Sequence, residues 1–292
     1  DPDEIVRRCE GADAVIVIGV HIDDNLYTRL THTQGHAKCF AFGGTGVASY
    51  IDLARARQDG VRVCNVRRYG DAELAIALMM ELARHVGELD TQVREGSWHG
   101  VFGTELAGKT LGLVGFGGIG QHVARIANGF GMRIQVWNSH VHADALAANP
   151  EIALVDGIDD LMATSDIVSL HLPLTDETRG GITFENLNHL RPGSMLINTA
   201  RGPIVDEAAM IDALTTGKIA TAGLDTYEHE PLPKDHPLLK LDNVVASAHA
   251  GGNTKDNDIN MVNYVYHNIV AFDRGEPLNT PGDIVNGEFL KK

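Results

Sequence analysis

The chain has 292 residues, enough for two ordinary domains, and its 43% hydrophobic and 22% charged residues are typical of a soluble globular protein. It carries 24 Lys and Arg against 39 Asp and Glu, and this net charge of −15 argues against nucleic acids and anionic membrane surfaces as partners. Its three cysteines, Cys9, Cys39 and Cys64, lack CxxC spacing, and no apolar run approaches the roughly 18 residues of a membrane helix. We therefore expect a cytoplasmic protein without a disulfide framework or a metal site.

The first 70 residues alternate between helical and strand patterns. Helices are predicted at 2–9 and 51–57, and short apolar runs predict buried strands at 14–19, 37–43 and 61–66. Such repeated units form a small parallel sheet that is covered on both faces.

A second, larger α/β domain is predicted after residue 70. Residues 71–94 form one helical pattern that is rich in Leu, Ile and Met, so we expect a single long helix buried between domains or subunits. The pattern then alternates strands with helices, including helices at 206–216 and about 257–274, and the strands are expected at 110–114, 134–137, 166–172, 195–198, 221–225 and 244–247.

A glycine-rich turn follows the first strand of this larger domain. Gly115, Gly117 and Gly120 have G-x-G-x-x-G spacing, between the apolar run 110–114 and a helical pattern. The first glycine permits the tight turn, the second lets a pyrophosphate approach the backbone, and the third lets the helix pack on the strand. The free N–H groups of the helix then face the phosphates, so the segment predicts a dinucleotide site.

Three ionisable residues follow other strands of the same domain. Arg201, Glu230 and His249 all come after predicted strand ends, at the sheet edge that carries the glycine turn. Histidine titrates near neutral pH and suits a proton donor, while a carboxylate fixes its tautomer and an arginine fork binds a substrate carboxylate. We expect hydride transfer between a nicotinamide and a 2-oxoacid or 2-hydroxyacid.

Seven segments in this order resemble the D-isomer-specific 2-hydroxyacid dehydrogenase family. They are GTGVASYIDLARARQDGVRVCNV, DAELAIALMMELAR, ELAGKTLGLVGFGGIG, DIVSLHLPLTDETRG, LRPGSMLINTARGPIVDE, GKIATAGLDTYEHEP and HPLLKLDNVVASAHAGGNT. The resemblance implies a doubly wound Rossmann nucleotide-binding domain at 71–272, with a dimerisation helix at 71–94. It also implies a smaller flavodoxin-like α/β substrate domain at 1–70 and 273–292. The function implied is that of an NAD(P)-dependent D-2-hydroxyacid dehydrogenase or 2-oxoacid reductase, working as a homodimer.

The resemblance also assigns site residues. It places the catalytic trio on Arg201, Glu230 and His249, and the substrate on Thr45, Gly46, Arg201 and His249. It assigns the cofactor to Gly115, Gly117, Gly118, Ile119, Gly120, Asn138, Ser139, His171, Pro173, Thr178, Thr199, Ala200, Asp225, His249 and Gly251. Asp225 is the aspartate that the family places beside the nicotinamide carboxamide.

The chain departs from the family pattern at several positions. Asn138 replaces the aspartate that NAD users place after the second nucleotide strand, and Ser139 rather than arginine follows it, so either NAD or NADP is possible. Arg67 and Arg68 are candidates to bind an anionic substrate tail. The family's first strand and helix are absent before Pro2, so we expect a truncated N-terminus.

Two other functions fit the same segments. One is an NAD(H)-sensing binding protein like the family's transcriptional corepressors, which turnover of a 2-oxoacid would exclude. The other is a dehydrogenase of a different oxyanion such as phosphite, although residues 43–50 contain no lysine to bind the extra charge.

Overall fold

The structure is a computed structural model that describes residues 1–66, 69–139, 146 and 149–276. The chain divides into two compact units, and the larger one is Tyr69–Gly252. The smaller unit comprises the described residues before and after it. The candidate residues Arg67 and Arg68 lie outside the described residues.

The small unit is built on a three-stranded parallel sheet in the order β1-β2-β3. Its strands are shorter than the apolar runs that predicted them, and they are Ala14–Val17 (β1), Cys39–Phe42 (β2) and Arg62–Cys64 (β3). Three short helices belong to the same unit, and each begins at an aspartate whose side chain accepts a first-turn N–H: Pro2–Arg8 (α1), Asp24–Thr28 (α2) and Leu53–Gln58 (α3).

The last described helix, Lys255–Asp273, belongs to the small unit, so the predicted boundary at 272 is wrong. Val265 is buried in an apolar cluster with Cys39 and Cys64 of the small sheet. Asn268 Nδ2 donates to the carbonyl of Asn65 at 3.4 Å, and the Arg62 guanidinium lies 5.5 Å from the centre of the Phe272 ring. These contacts are distant in sequence, and the helical pattern alone does not reveal them.

The large unit contains a seven-stranded, wholly parallel sheet in the order β10-β9-β8-β7-β4-β5-β6. The strands are Thr110–Val114 (β4), Arg133–Trp137 (β5), Ala153–Leu154 (β6), Ile167–Leu170 (β7), Ser194–Asn198 (β8), Ile219–Leu224 (β9) and Val244–Ala246 (β10). The strand order reverses between β4 and β7, which is where open α/β sheets bind their ligands. β4, β7 and β8 are buried along their whole length, as their apolar sequences predict.

The predicted single helix at 71–94 is wrong, because the helix breaks at His85. Gly70–Arg84 (α4) and Val86–Arg94 (α5) flank this residue, which has a left-handed conformation with φ 54°. Two competing hydrogen bonds explain the break: the carbonyl of Ala83 accepts from Thr104 N at 2.8 Å, and Gly87 N donates to the side chain of Glu81 at 2.9 Å. Helix α4 is buried against the sheet of its own unit, whereas α5 has no buried residue.

Five further α-helices are described with their bounds. They are Gly118–Gly129 (α6), Ile158–Thr164 (α7), Phe184–His189 (α8), Glu207–Thr215 (α9) and Lys255–Asp273 (α10). Within the described ranges, none of the helices is both long and apolar enough to cross a bilayer.

Candidate active site

The glycine turn connects β4 to α6 beside the point where the strand order reverses. Gly115 has φ +100°, and a Cβ there would lie 2.7 Å from the carbonyl oxygen of His171, so no larger residue fits. At Gly117 and Gly118 an added Cβ would meet no atom within 4 Å. No side chain of the described residues caps the first turn of α6, so its N–H groups and the open space beside them fit a pyrophosphate. Ile119 and Gly120 complete this turn.

Asn138 and Ser139 follow β5, the strand next to the glycine turn. Asn138 Oδ1 accepts a long hydrogen bond of 3.5 Å from Phe116 N, which ties it to the turn. An amide at this position carries no charge, so it neither pairs with a ribose as a carboxylate does nor repels a 2′-phosphate.

His171, Pro173 and Thr178 lie after β7, on the other side of the turn. His171 Nε2 lies 2.9 Å from Ser169 Oγ, and burial lowers the pKa of His171 to about 4, so this imidazole is neutral at physiological pH. Thr178 Oγ1 donates to the carbonyl of Pro173 at 2.6 Å and accepts from Thr175 N at 2.8 Å. These bonds give the loop a fixed shape.

Arg201, Glu230 and His249 follow β8, β9 and β10, which are neighbours in the sheet. Because parallel strands end at one edge, the three residues leave the sheet on the same side. His249 Nδ1 lies 2.7 Å from Glu230 Oε2, and since an ionised carboxylate only accepts, Nδ1 donates. Because Glu230 engages Nδ1, Nε2 is the ring nitrogen that remains for a ligand. The side chains of His249 and Glu230 are 42% and 35% exposed, so a ligand can reach it.

Asp225 holds the loop that carries His249. One of its carboxylate oxygens accepts from Ser247 Oγ at 2.6 Å and from Ala250 N at 2.8 Å, and the other accepts from Gly251 N at 3.0 Å. His249 has φ 49°, a left-handed conformation that is unfavourable for a residue with a side chain. The bonds from Asp225 on both sides of His249 maintain this conformation.

Arg201 has a guanidinium without an acidic partner among the described residues. Its Nη1 donates to the carbonyl of Ala200 at 2.6 Å. The segment is held by Asn198, whose Oδ1 accepts from Ala200 N and whose Nδ2 donates to the Arg201 carbonyl. Thr199 is buried beside it, and its hydroxyl has no hydrogen-bond partner in the described structure. A guanidinium that has no acidic partner suits a carboxylate ligand.

Thr45 and Gly46 lie in the small unit, in the loop after β2. The Thr45 carbonyl accepts from Asn65 Nδ2 at 2.9 Å and from Val47 N at 3.1 Å, and Gly46 precedes the short helix Val47–Ser49. Their substrate-binding role stays a prediction.

Sequence reasoning missed Ser247 and Tyr227, which hold the loops of the candidate site. The hydroxyl of Ser247 bonds to Asp225, and Tyr227 bonds to both the Glu230 side chain and the Ser247 carbonyl. Each lies two residues from a predicted site residue, Ser247 from His249 and Tyr227 from Asp225, and this proximity could have indicated a supporting role. Among the described residues, no group of three or more His, Cys, Asp or Glu side chains is arranged to hold a metal ion.

A dinucleotide turn and a histidine–glutamate pair at one sheet edge define a nicotinamide-dependent oxidoreductase as the class of protein. Comparison with known proteins narrows the class. Residues 76–251 match the family model described as D-isomer specific 2-hydroxyacid dehydrogenase, NAD binding domain. The chain belongs to the D-isomer specific 2-hydroxyacid dehydrogenase family, and the predicted NAD(P)-dependent oxidoreduction of a hydroxyacid/oxoacid pair is confirmed.

Two relatives and one solved structure illustrate the similarity. The chain is 42% identical to a glyoxylate reductase of Korarchaeum cryptofilum, over 98% of this chain and 86% of that protein. It is 41% identical to a hydroxypyruvate reductase of Thermotoga maritima, over 88% of this chain and 83% of the relative. The structure of an acyclic imino acid reductase, Bsp5, in complex with NADPH and D-Arg matches with a TM-score of 0.84 and 30% identity, covering 96% of this chain and 88% of that one.

Proposed function

We propose that the protein reduces small 2-oxoacids to D-2-hydroxyacids, with His249 as the proton donor, Glu230 as its partner and Arg201 as the carboxylate-binding residue. The observation that carries this assignment is the 2.7 Å contact between His249 Nδ1 and Glu230 Oε2 on a half-exposed ring. The names of the relatives, glyoxylate reductase and hydroxypyruvate reductase, favour acids with a short side chain.

The chemistry divides among these side chains. A bound nicotinamide cofactor supplies the two electrons, as a hydride, that reduce C2 of the oxoacid. His249 donates its Nε2 proton to the carbonyl oxygen, because Nδ1 is engaged by Glu230. Glu230 stabilises the protonated ring and fixes its orientation. Arg201 binds the substrate carboxylate through its fork of N–H groups, and its charge polarises the adjacent carbonyl.

The cofactor site involves the glycine turn and the residues after β5. The first turn of α6 would hold the pyrophosphate, with Gly115, Gly117 and Gly120 in the roles described above. Because neither a carboxylate nor an arginine occupies positions 138 and 139, we expect the enzyme to use NADH and NADPH with less than a tenfold difference in affinity. His140 and His142, which follow, lie outside the described residues.

The active form is a homodimer through the surface that includes α5 and the segment after it. Trp98 is 87% exposed and Phe102 is fully exposed, and Val86 and Val93 of α5 are also exposed. Large apolar side chains that are exposed to this degree are typical of an interface. Analytical ultracentrifugation of the chain and of a Phe102→Ser variant tests this part, since a monomeric parent chain would contradict it.

The decisive experiment is absorbance at 340 nm with NADH and NADPH, each crossed with 2-oxoacids from glyoxylate through hydroxypyruvate to phenylpyruvate. Consumption of reduced cofactor with the short acids is expected. If no acid causes consumption of reduced cofactor, while fluorescence shows that the cofactor still binds, the proposed substrate class is contradicted.

A further inference from the structure

Tyr227 is the residue on which the three segments of the candidate site converge. It lies between Asp225 and Glu230 in the loop after β9, and it is only 7% exposed. It has no place in the chemistry proposed above. Its contacts reach the segments of Arg201, Glu230 and His249 in turn.

The first contact is to Glu230. The backbone N–H of Tyr227 donates to Glu230 Oε1 at 3.0 Å, while Glu230 Oε2 accepts from His249 Nδ1 at 2.7 Å. The two oxygens of the carboxylate therefore have different partners, and the bond from Tyr227 sets the angle at which the other oxygen faces the imidazole.

The second contact is to the loop of His249. The Tyr227 hydroxyl lies 2.8 Å from the carbonyl oxygen of Ser247 and 3.1 Å from that of Leu224. The Leu224 carbonyl already accepts from Ser247 N at 2.9 Å. The Ser247 carbonyl is therefore the acceptor that needs the Tyr227 hydroxyl, and it is also the nearer of the two. Burial and the charges of Asp225 and Glu230 raise the pKa of Tyr227 to about 12, so this group remains a donor throughout the range of an assay.

The third contact is to the segment of Arg201. Gly202 follows Arg201, and a Cβ on it would collide with the backbone carbonyl of Tyr227 and lie 2.5 Å from Glu228 N. The two backbones therefore pack directly on each other, which only glycine permits. A shift of Tyr227 would displace this segment as well.

We propose that Tyr227 is a positioning residue that aligns the His249–Glu230 pair, with its hydroxyl holding the histidine loop and its backbone N–H holding the carboxylate. The proposal rests on the proposed function, because it assumes that His249 and Glu230 carry the proton transfer. It assigns to the hydroxyl a kinetic role beyond the packing of the ring.

The test compares Tyr227→Phe with Tyr27→Phe. Both substitutions remove one hydroxyl from a buried tyrosine, and Tyr27 lies in the small unit. Tyr227→Phe is expected to lower kcat roughly three- to tenfold, as the loss of one hydrogen bond allows. It should shift the pH midpoint of kcat/KM while leaving the Kd of NADH, measured by fluorescence, within twofold. Tyr27→Phe should leave kcat and the pH midpoint unchanged.

A double-mutant cycle with Glu230→Gln shows whether Tyr227 acts through the pair. If it does, Tyr227→Phe lowers kcat less than twofold in the Glu230→Gln background, because the alignment it maintains no longer matters. Full additivity, or an unchanged kcat in the single variant, would overturn the proposal. The NMR signal of the His249 Nδ1 proton gives a second readout: faster exchange with water is expected in Tyr227→Phe, and unchanged exchange counts against the proposal.

Failure of this proposal differs from failure of the proposed function. If His249→Ala and Glu230→Gln retain full turnover, the catalytic assignment is wrong. If these two variants lose activity while Tyr227→Phe does not, only the role of Tyr227 is wrong.

Discussion

Two histidine–glutamate pairs of the large unit, His249–Glu230 and His236–Glu207, differ in what surrounds them. His249 and Glu230 are 42% and 35% exposed, and their contact is 2.7 Å long. His236 and Glu207 are 17% and 20% exposed, with 3.2 Å between Nε2 and the carboxylate. The same two residue types therefore form one pair that is open to a ligand and one that is enclosed by protein.

The second ring nitrogen explains the difference. His236 Nδ1 accepts from Leu238 N at 3.4 Å, so both nitrogens of this ring are used inside the protein, where they join the loop to α9. No described residue bonds to Nε2 of His249. A histidine with one free nitrogen has the capacity to transfer a proton, whereas a histidine with two occupied nitrogens stabilises the fold.

The largest effect is expected from replacing the two histidines. His249→Ala should lower kcat a hundredfold or more, as expected for the loss of a general acid. His236→Ala should leave kcat within about twofold, because its bonds lie within the fold. Steady-state kinetics with one 2-oxoacid measure both, and equal losses in the two variants would remove the distinction between the pairs.

Substitution of the two glutamates should show the same contrast in kcat, with smaller effects than substitution of the histidines. Glu230→Gln keeps an acceptor for Nδ1 but loses the charge that orients and stabilises the protonated ring, so kcat should fall about ten- to hundredfold. Glu207→Gln should have little effect on kcat. A wild-type rate for Glu230→Gln would show that His249 works without its partner.

The free energy of unfolding should respond in the opposite order, with the larger loss in Glu207→Gln and the smaller loss in Glu230→Gln. Glu207 is sheltered and bonds to both His236 and Glu228 N, so Glu207→Gln should lower the free energy of unfolding by roughly 1–2 kcal/mol. Glu230→Gln lies at a more exposed position and should lower it less. Urea denaturation followed by fluorescence measures both, and a larger loss for Glu230→Gln would contradict the contrast in burial.

Local sequence pattern predicted every strand except β6, whose two residues are exposed, and it predicted candidate side chains after β8, β9 and β10. Runs of apolar residues marked the strands because parallel strands are buried on both faces, and β4 was predicted to the residue. Arg201, Glu230 and His249 were found because residues after parallel strands meet at one edge.

Contacts between distant segments were beyond such reasoning. The break at His85 depends on Thr104, which takes the carbonyl of Ala83, and no periodicity reveals that bond. The hydrogen bond from Gly251 N to the Asp225 carboxylate and the bond from the Tyr227 hydroxyl to the Ser247 carbonyl also join separate loops. These bonds hold the loops of the candidate site, so local pattern predicts candidate chemical groups but not the contacts that support them.

His171 extends the comparison to a histidine that has no carboxylate partner in the described part of the chain, and it is expected to have the smallest effect. Its contact is the Ser169 hydroxyl, and burial lowers its pKa to about 4. Between about pH 6.5 and pH 4 the unfolded chain binds a proton at this residue and the folded chain does not, so the free energy of unfolding falls as the pH falls through this window. From pH 7 to pH 5 the contribution is about 2 kcal/mol, at about 1.4 kcal/mol per pH unit below pH 6.5.

His171→Gln removes this titration while keeping a side chain able to bond to Ser169. Urea denaturation at pH 7 and pH 5 should therefore show a smaller loss of stability in this variant than in the parent chain. His189→Gln is the matched control, because His189 is exposed and lies in the same unit, and it should follow the parent chain. Equal losses in parent and His171→Gln would show that the buried imidazole accepts a proton in the folded state. In that case a partner other than Ser169 must stabilise its charge, and His171 would resemble the enclosed His236 rather than stand apart from both pairs.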